Sequence, residues 1–305
     1  MWMQSDNRFG RRVRQWALSM TIALCGGGVA GAQVGATPAP AVTPEQLPHT
    51  EAFLYRTDPV ALRLFVAKPD DWEASDRRPA YVFFFGGGFV RGTPERSINT
   101  ARTLTRHGFV GIAPDYRTAE RFGTTGIECI ADARAVIRWI QDHADQLGID
   151  PARIVVGGSS AGGSLALWTA IRKTPPGLPE TESPLLPPAA LILLSAPVDV
   201  ASSRRARLFG PHPEHFSPLQ NLEPQMPPVL AFHGDADTTV DYQDAVRLEK
   251  RMVELGNRID LITVSGGSHS FRSDLPDWKR RSDDRVITFL RELKLIADEG
   301  SANEE

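Results

Sequence analysis

Apolar residues along the chain alternate between two periods. The clearest stretch, Ala80-Tyr81-Val82-Phe83-Phe84-Phe85, is almost continuously apolar, as a strand buried on both faces requires. Residues 61–67 alternate as a strand, and 109–113, 153–156, 189–194, 229–232 and 259–264 form further short apolar runs. Between them lie helical patterns. Residues 126–147 carry Ile130, Ala133, Val136, Ile137 and Ile140 at helical spacing, and Ile149-Asp150-Pro151 ends that pattern. Helices are also predicted over 95–106, 164–171, 241–255 and 278–296. Strands that alternate with helices imply a mostly parallel central sheet with helices on both faces, an α/β fold. Two stretches lack a period: proline-rich 174–188, and 196–228 with Phe209, His212, His215 and Phe216. Long loops in compact domains are often functional. These two are too short to build a large cap domain. No internal repeat is apparent.

Composition adds limits. The 305 residues, 41% of them hydrophobic, suffice for one large core. The net charge is −3, and basic residues are not concentrated in the chain after residue 32, so nucleic-acid binding has no electrostatic support. The first residues stand apart. Arg8, Arg11, Arg12 and Arg14 precede the apolar run 16–23, and Ala30-Gly31-Ala32 is an A-x-A cleavage signal. Residues 1–32 therefore read as a secretory signal peptide cut after Ala32. The apolar run is short and glycine-rich for a membrane span. Leu24 is bulky for a lipoprotein site at Cys25, and Arg11-Arg12 is only a faint twin-arginine pattern. Cleavage removes four arginines and Asp6, taking the net charge from −3 to −6. It also leaves Cys129 as the sole cysteine, which excludes an internal disulfide and fits a small buried residue. Residues 33–50, with four prolines, read as a flexible linker, 51–297 as the main folded domain and 298–305 as a frayed polar tail.

The chemistry gathers around Gly157-Gly158-Ser159-Ser160-Ala161-Gly162-Gly163, which stands between the predicted strand 153–156 and the predicted helix 164–171. Strand, sharp turn and helix are the setting of the G-x-S-x-G nucleophile elbow. Gly158, Ser160 and Gly162 fill its fixed positions. Counting from Ser159 instead puts Ala161 where the second glycine belongs, so the frame favours Ser160. The bland alternative is a glycine-rich turn with incidental serines. It loses ground because the rest of the chain supplies matching parts in order.

A serine hydroxyl needs a base to take its proton, usually a histidine oriented by a carboxylate. Of seven histidines, only His269 follows the last predicted strand, within Gly266-Gly267-Ser268-His269-Ser270-Phe271. The acid belongs in His233-Gly234-Asp235-Ala236-Asp237-Thr238, where Asp235, Asp237 and the nearby Asp241 all compete. Asp241 fits a helix N-cap, Asp235 could brace the turn, and Asp237 sits mid-loop, where it can reach across to His269. The oxyanion needs preorganised donors: the backbone N–H of Ala161, and N–H groups of the glycine run after Phe85.

With these parts in place the chain resembles the α/β-hydrolase serine esterases of the group with acetyl-xylan and feruloyl esterases, close to hormone-sensitive-lipase-like enzymes. The shared pieces are Phe84-Phe85-Gly86-Gly87-Gly88-Phe89, Pro114-Asp115-Tyr116-Arg117, the elbow, His233-Gly234-Asp235-Ala236-Asp237 and Gly267-Ser268-His269-Ser270-Phe271, spread over residues 60–295. The resemblance implies an α/β-hydrolase fold, a catalytic triad of Ser160, Asp237 and His269, and an oxyanion hole of Gly87, Gly88 and Ala161. It makes Asp115 and Arg117 structural. Phe85 departs from the family's usual histidine before the glycine run, which leaves the backbone donors intact but opens the question of what braces the loop. Ser164 departs from the histidine many relatives carry there.

The implied activity is hydrolysis of carboxylic esters, of short-chain acyl groups or acetylated or feruloylated carbohydrate, after export to the periplasm or medium. A peptidase is the alternative within enzymes, although a propeller or large cap has no room in this length. A catalytically silent binding protein is the alternative outside them. No cofactor is implied: the histidines lack metal-ligand spacing, and neither a Walker nor a dinucleotide glycine pattern occurs. Acyl length, the alcohol and the oligomeric state are not legible.

Overall fold

The computed structural model describes residues 42–179 and 185–297. The expected signal peptide, most of the linker, the polar tail and part of 174–188 lie outside the described residues. Eight strands form one sheet: β1 Glu51–Arg56, β2 Leu62–Ala67, β3 Arg78–Phe84, β4 Val110–Pro114, β5 Ile149–Ser159, β6 Ala190–Leu194, β7 Val229–Gly234 and β8 Ile259–Val264. Their order is β1-β2-β4-β3-β5-β6-β7-β8. β2 is antiparallel to both its neighbours, and every other pairing is parallel, so β2 alone runs against the rest. The α/β-hydrolase fold expected from the sequence is the one observed.

The apolar runs are continuous because both faces of the sheet are covered. Along β3, Ala80, Val82 and Phe84 enter one core and Tyr81 and Phe83 the other; Ile154 and Val156 of β5 are likewise split from Val155. The first core is closed by α1 (Gly126–Asp142), α2 (Ala161–Ala170) and Leu248 and Met252 of α3 (Tyr242–Glu254). The second is closed by Ile98, Leu104 and Val286 to Leu290 of α4 (Trp278–Glu292). Cys129 on α1 is free and buried, its thiol 3.0 Å from the Arg117 carbonyl.

Several elements differ from expectation for local reasons. The helix predicted over 95–106 is broken into the short turns Pro94–Arg96, Ile98–Ala101 and Arg102–His107. Ser97, Thr103 and Thr105 donate their hydroxyls to carbonyls three residues back, at 2.7–3.0 Å, and so compete with the regular helical ladder. α1 starts at a capping box of Thr125 and Glu128 and stops five residues early. There His143 leaves helical geometry, its ring stacked on Trp139 at 4.0 Å. α4 stops at Glu292, because Lys294 takes φ 57° and turns Leu295 and Ile296 back into the core. β5 is longer than the predicted 153–156, with Ile149 already paired to Arg78. β1 was not anticipated: Phe53 and Tyr55 pack inward, but Leu54 is 46% exposed, which blurs the alternation. Residues 42–50, within the expected linker, lie on the domain, with Leu47 buried and Thr43 donating to Asp115.

Candidate active site

Because β3, β5, β6, β7 and β8 run parallel, the loops that follow them emerge at one edge of the sheet. The glycine run follows β3, Ser160 follows β5, Asp237 follows β7 and His269 follows β8. A cleft of about 1060 Å³ opens there, and its wall includes Gly86, Gly87, Gly88, Ser160 and His269.

Ser160 is the hinge between β5 and α2, at φ 51° and ψ −126°, a conformation that side-chain-bearing residues rarely adopt. Its N–H donates to the Leu194 carbonyl at 2.8 Å, which ties the turn to β6. The spacing of the glycines has a steric cause. A Cβ on Gly158 would overlap the backbone of Gly162, and one on Gly162 would overlap the carbonyl of Phe84. Ala161 is the first residue of α2 and fully buried. Its N–H is among those at a helix start that have no partner within the helix. Ser159 also borders the cleft but is the last residue of β5, held in the sheet opposite Leu194.

His269 is tied to Asp237, Nδ1 to Oδ2 at 2.8 Å. The Asp237 carboxylate is fully buried, and His269 is about a quarter exposed at the cleft. Burial works to raise the Asp237 pKa. Hydrogen bonds from His233, His269 and the N–H groups of Val240 and Thr239 outweigh it and hold the carboxyl well below the usual carboxylate range. An ionised carboxylate only accepts, so Nδ1 of His269 donates to it, and in a neutral imidazole Nε2 is the nitrogen with the lone pair. His233 is the second histidine on this carboxylate, its Nε2 3.2 Å from Oδ2 and 3.1 Å from the Val240 carbonyl. Both neighbours are acceptors, so Nε2 of His233 is also a donor. Sequence reading passed over His233 because it sits on a strand before the acid; the signal was its place four residues ahead of Asp237.

The other acids go elsewhere. Asp235 accepts the Gly266 N–H at 2.7 Å and ties the acid loop to the histidine loop. Asp241 caps α3 through the Gln243 N–H.

The glycine loop is braced without the family's histidine. Phe85 stacks on Tyr116, ring centres 4.0 Å apart and planes 14° apart, and the Tyr116 hydroxyl donates to the Phe85 carbonyl at 2.8 Å. Gly87 and Gly88 take φ 146° and 63°. A side chain at 87 would also overlap the Arg91 carbonyl. Arg121 grips Asp115 with two hydrogen bonds of 2.7 Å and reaches the Gly92 carbonyl at 3.0 Å. Arg117 is held by Asp132 in the same two-pronged way. Both arginines are therefore structural. Ser164 donates to the Pro197 carbonyl.

Residues 81–212 match a family model described as alpha/beta hydrolase fold, and residues 211–294 match one described as the prolyl oligopeptidase family. The elbow lies in the first span, the acid and histidine loops in the second. Esterase LipC of Mycobacterium tuberculosis is 28% identical over 264 residues, 76% of this chain and 62% of its own. Esterase LipI of the same organism is 37% identical over 36% of this chain and 33% of its own. The chain thus spans under two thirds of the length of these curated relatives. Among solved structures, Thermogutta terrifontis esterase 2, phosphoramylated by tabun, is 32% identical with a TM-score of 0.78. The match covers 83% of this chain and 98% of that one. Its propionate-bound form is 33% identical at a TM-score of 0.76, with 83% and 97% covered. Architecture, cleft and a structural match over 83% of this chain agree: the chain belongs to the α/β-hydrolase fold family.

Proposed function

We propose that the protein hydrolyses carboxylic esters through an acyl-enzyme, with Ser160, His269 and Asp237 as the catalytic triad. The observation that carries this is the His269–Asp237 hydrogen bond at the wall of the cleft that Ser160 also lines. Nε2 of His269, the nitrogen with the lone pair, takes the Ser160 proton as Oγ attacks the ester carbonyl. The tetrahedral oxyanion is received by the N–H groups of Gly87, Gly88 and Ala161. As the C–O bond breaks, His269 returns the proton to the departing alcohol. Water then repeats the sequence, His269 taking its proton and Ser160 leaving as the carboxylic acid forms. Asp237 holds the imidazole in the required tautomer and stabilises the imidazolium.

Short acyl groups are the favoured substrate class. Thermogutta terrifontis esterase 2 has been solved with propionate and with butyrate bound, and its match to this chain is nearly full length. Acetylated or feruloylated carbohydrate is the polymeric version of the same reading. Export is part of it, supported by the arginine-rich start and the Ala30-Gly31-Ala32 signal. Secreted material is then expected to begin at Gln33 on N-terminal sequencing; an intact Met1 there would refute it.

The prolyl oligopeptidase match favours a peptidase as the second reading. Side-by-side rates on nitrophenyl esters of increasing acyl length and on peptide nitroanilides separate the two. Turnover is expected on acetate to butyrate esters and to vanish in Ser160→Ala but not in Ser159→Ala. Faster nitroanilide cleavage, or an active Ser160→Ala, would refute the esterase reading.

A further inference from the structure

Among the described residues that line the cleft, five are arginines and none is a carboxylate. Arg91 and Arg96 come from the segment after the glycine run, and Arg204, Arg205 and Arg207 from the loop after β6. Along the sequence these two groups are more than a hundred residues apart, and only the fold joins them. The contrast with the rest of the chain is sharp. Arginines such as Arg78, Arg117, Arg121, Arg258 and Arg285 each hold a carboxylate at 3.2 Å or less, whereas none of the five at the cleft forms an ion pair among the described residues. Acids occur in the adjoining hollow, where Asp199 and Asp244 are paired with Arg247, Asp237 holds His233 and His269, and Asp241 caps α3. Arg204 borders that hollow too, so the case rests on the other four.

Arg205 is the most informative. It is half-buried, and its Nε lies 3.0 Å from where a Cβ on Gly88 would stand. Its guanidinium is therefore packed on the loop proposed to receive the oxyanion. Like charges on the wall of one cleft focus a positive potential into it, which a bound anion relieves. A guanidinium fork matches a carboxylate with two hydrogen bonds, as it does for Asp115 in this same fold.

We infer that the preferred substrate is an ester that carries a carboxylate near the scissile bond, held by Arg205 with Arg91, Arg96 and Arg207 around it. This rests on the ester-hydrolase reading above. Two matched pairs place the charge on either side of the ester. Mono-4-nitrophenyl glutarate against 4-nitrophenyl valerate puts it on the acyl group. 4-Acetoxybenzoate against 4-acetoxybenzamide puts it on the alcohol.

The charged member of at least one pair is expected to have a kcat/KM about tenfold higher or more, mostly through KM, with the preference shrinking as salt is raised. Arg205→Ala should collapse that ratio, and Arg205→Lys should keep part of it. The double variant Arg91→Ala/Arg207→Ala should lower the ratio as well, and both positions are exposed, so folding is not at stake. Arg280→Ala, on α4, is the control that leaves the ratio alone. No preference in either pair, or a preference that survives both cleft variants, overturns the inference. If no ester at all is turned over, the esterase reading has failed instead. Calorimetry with glutarate against neutral glutaramide then decides the subsite alone: selective glutarate binding lost in Arg205→Ala supports it, and equal binding overturns it.

Discussion

At the residue scale, two histidines converge on one buried carboxylate. Asp237 accepts from two histidines and two backbone N–H groups, whereas Asp235 accepts from the Gly266 N–H. Asp237→Asn is expected to lower kcat by several orders of magnitude, as the same change does at about 10⁴-fold in serine proteases. Asp235→Asn should instead lower stability by about 1 kcal/mol, the value of one hydrogen bond. Measuring kcat and the thermal midpoint on both variants separates these roles, and a larger loss of kcat in Asp235→Asn would move the acid. The depressed Asp237 pKa also sets a pH dependence. Folding favours its ionised form, so the stabilisation is fully present above the ordinary value of 3.8 and is lost as pH falls through the lower folded value. Thermal midpoints of the protein and of Asp237→Asn should therefore start to draw together only as pH falls below about 4. His233→Ala removes a hydrogen bond to a buried charge and should destabilise by about 1.5–3 kcal/mol; His233→Gln, which keeps an N–H donor, should recover part. A midpoint unchanged in His233→Ala would show that the contact contributes nothing. Ser160 has a different trade. Its rare φ stores about 1–3 kcal/mol, while glycine's extra freedom in the unfolded chain costs about 0.4–1 kcal/mol. Ser160→Gly should thus be inactive and at least as stable as the parent.

At the element scale, the strand–turn–helix unit from β5 to α2 depends on the absence of side chains. Gly158→Ala forces a Cβ into the Gly162 backbone, which cannot yield as a side-chain tip would. It should lower the thermal midpoint and kcat together; an active, fully stable Gly158→Ala would show that the turn tolerates movement. Phe85→Ala removes a fully buried ring stacked on Tyr116 and should destabilise by about 3–5 kcal/mol. These elements also show which features a single sequence reveals. Strands buried on both faces announce themselves, because both sides of β3 and β5 must be apolar. The elbow is equally plain, because its glycine pattern occupies a few consecutive residues, with Gly158 fixed by overlap with Gly162. Edges and turns are harder. β1 pairs on one side only and leaves Leu54 in solvent, so its pattern is weak. The helix expected over 95–106 failed because hydroxyls of Ser97, Thr103 and Thr105 took local carbonyls, an effect that apolar periodicity does not record. Tyr116 supports the site through a contact between distant segments, visible only once the sheet places them together, whereas His233 meets Asp237 only four residues on.

At the scale of the whole molecule, charge is distributed differently in space than along the chain. Arg91 and Arg96 lie more than a hundred residues before Arg204, Arg205 and Arg207, and the fold brings all five to the wall of one cleft. The parallel order of β3, β5, β7 and β8 is what unites that cleft with the nucleophile, the acid and the histidine. Among the described residues no helix is long and apolar enough to cross a membrane. The central claim is that Ser160, and not its neighbour, is the activated nucleophile. Incubation with a fluorophosphonate followed by intact mass and peptide fragmentation addresses it in one step. Expected is a single adduct on Ser160, slowed greatly in Asp237→Asn and absent in Ser160→Ala. An adduct on Ser159, or none on the folded protein, would contradict it.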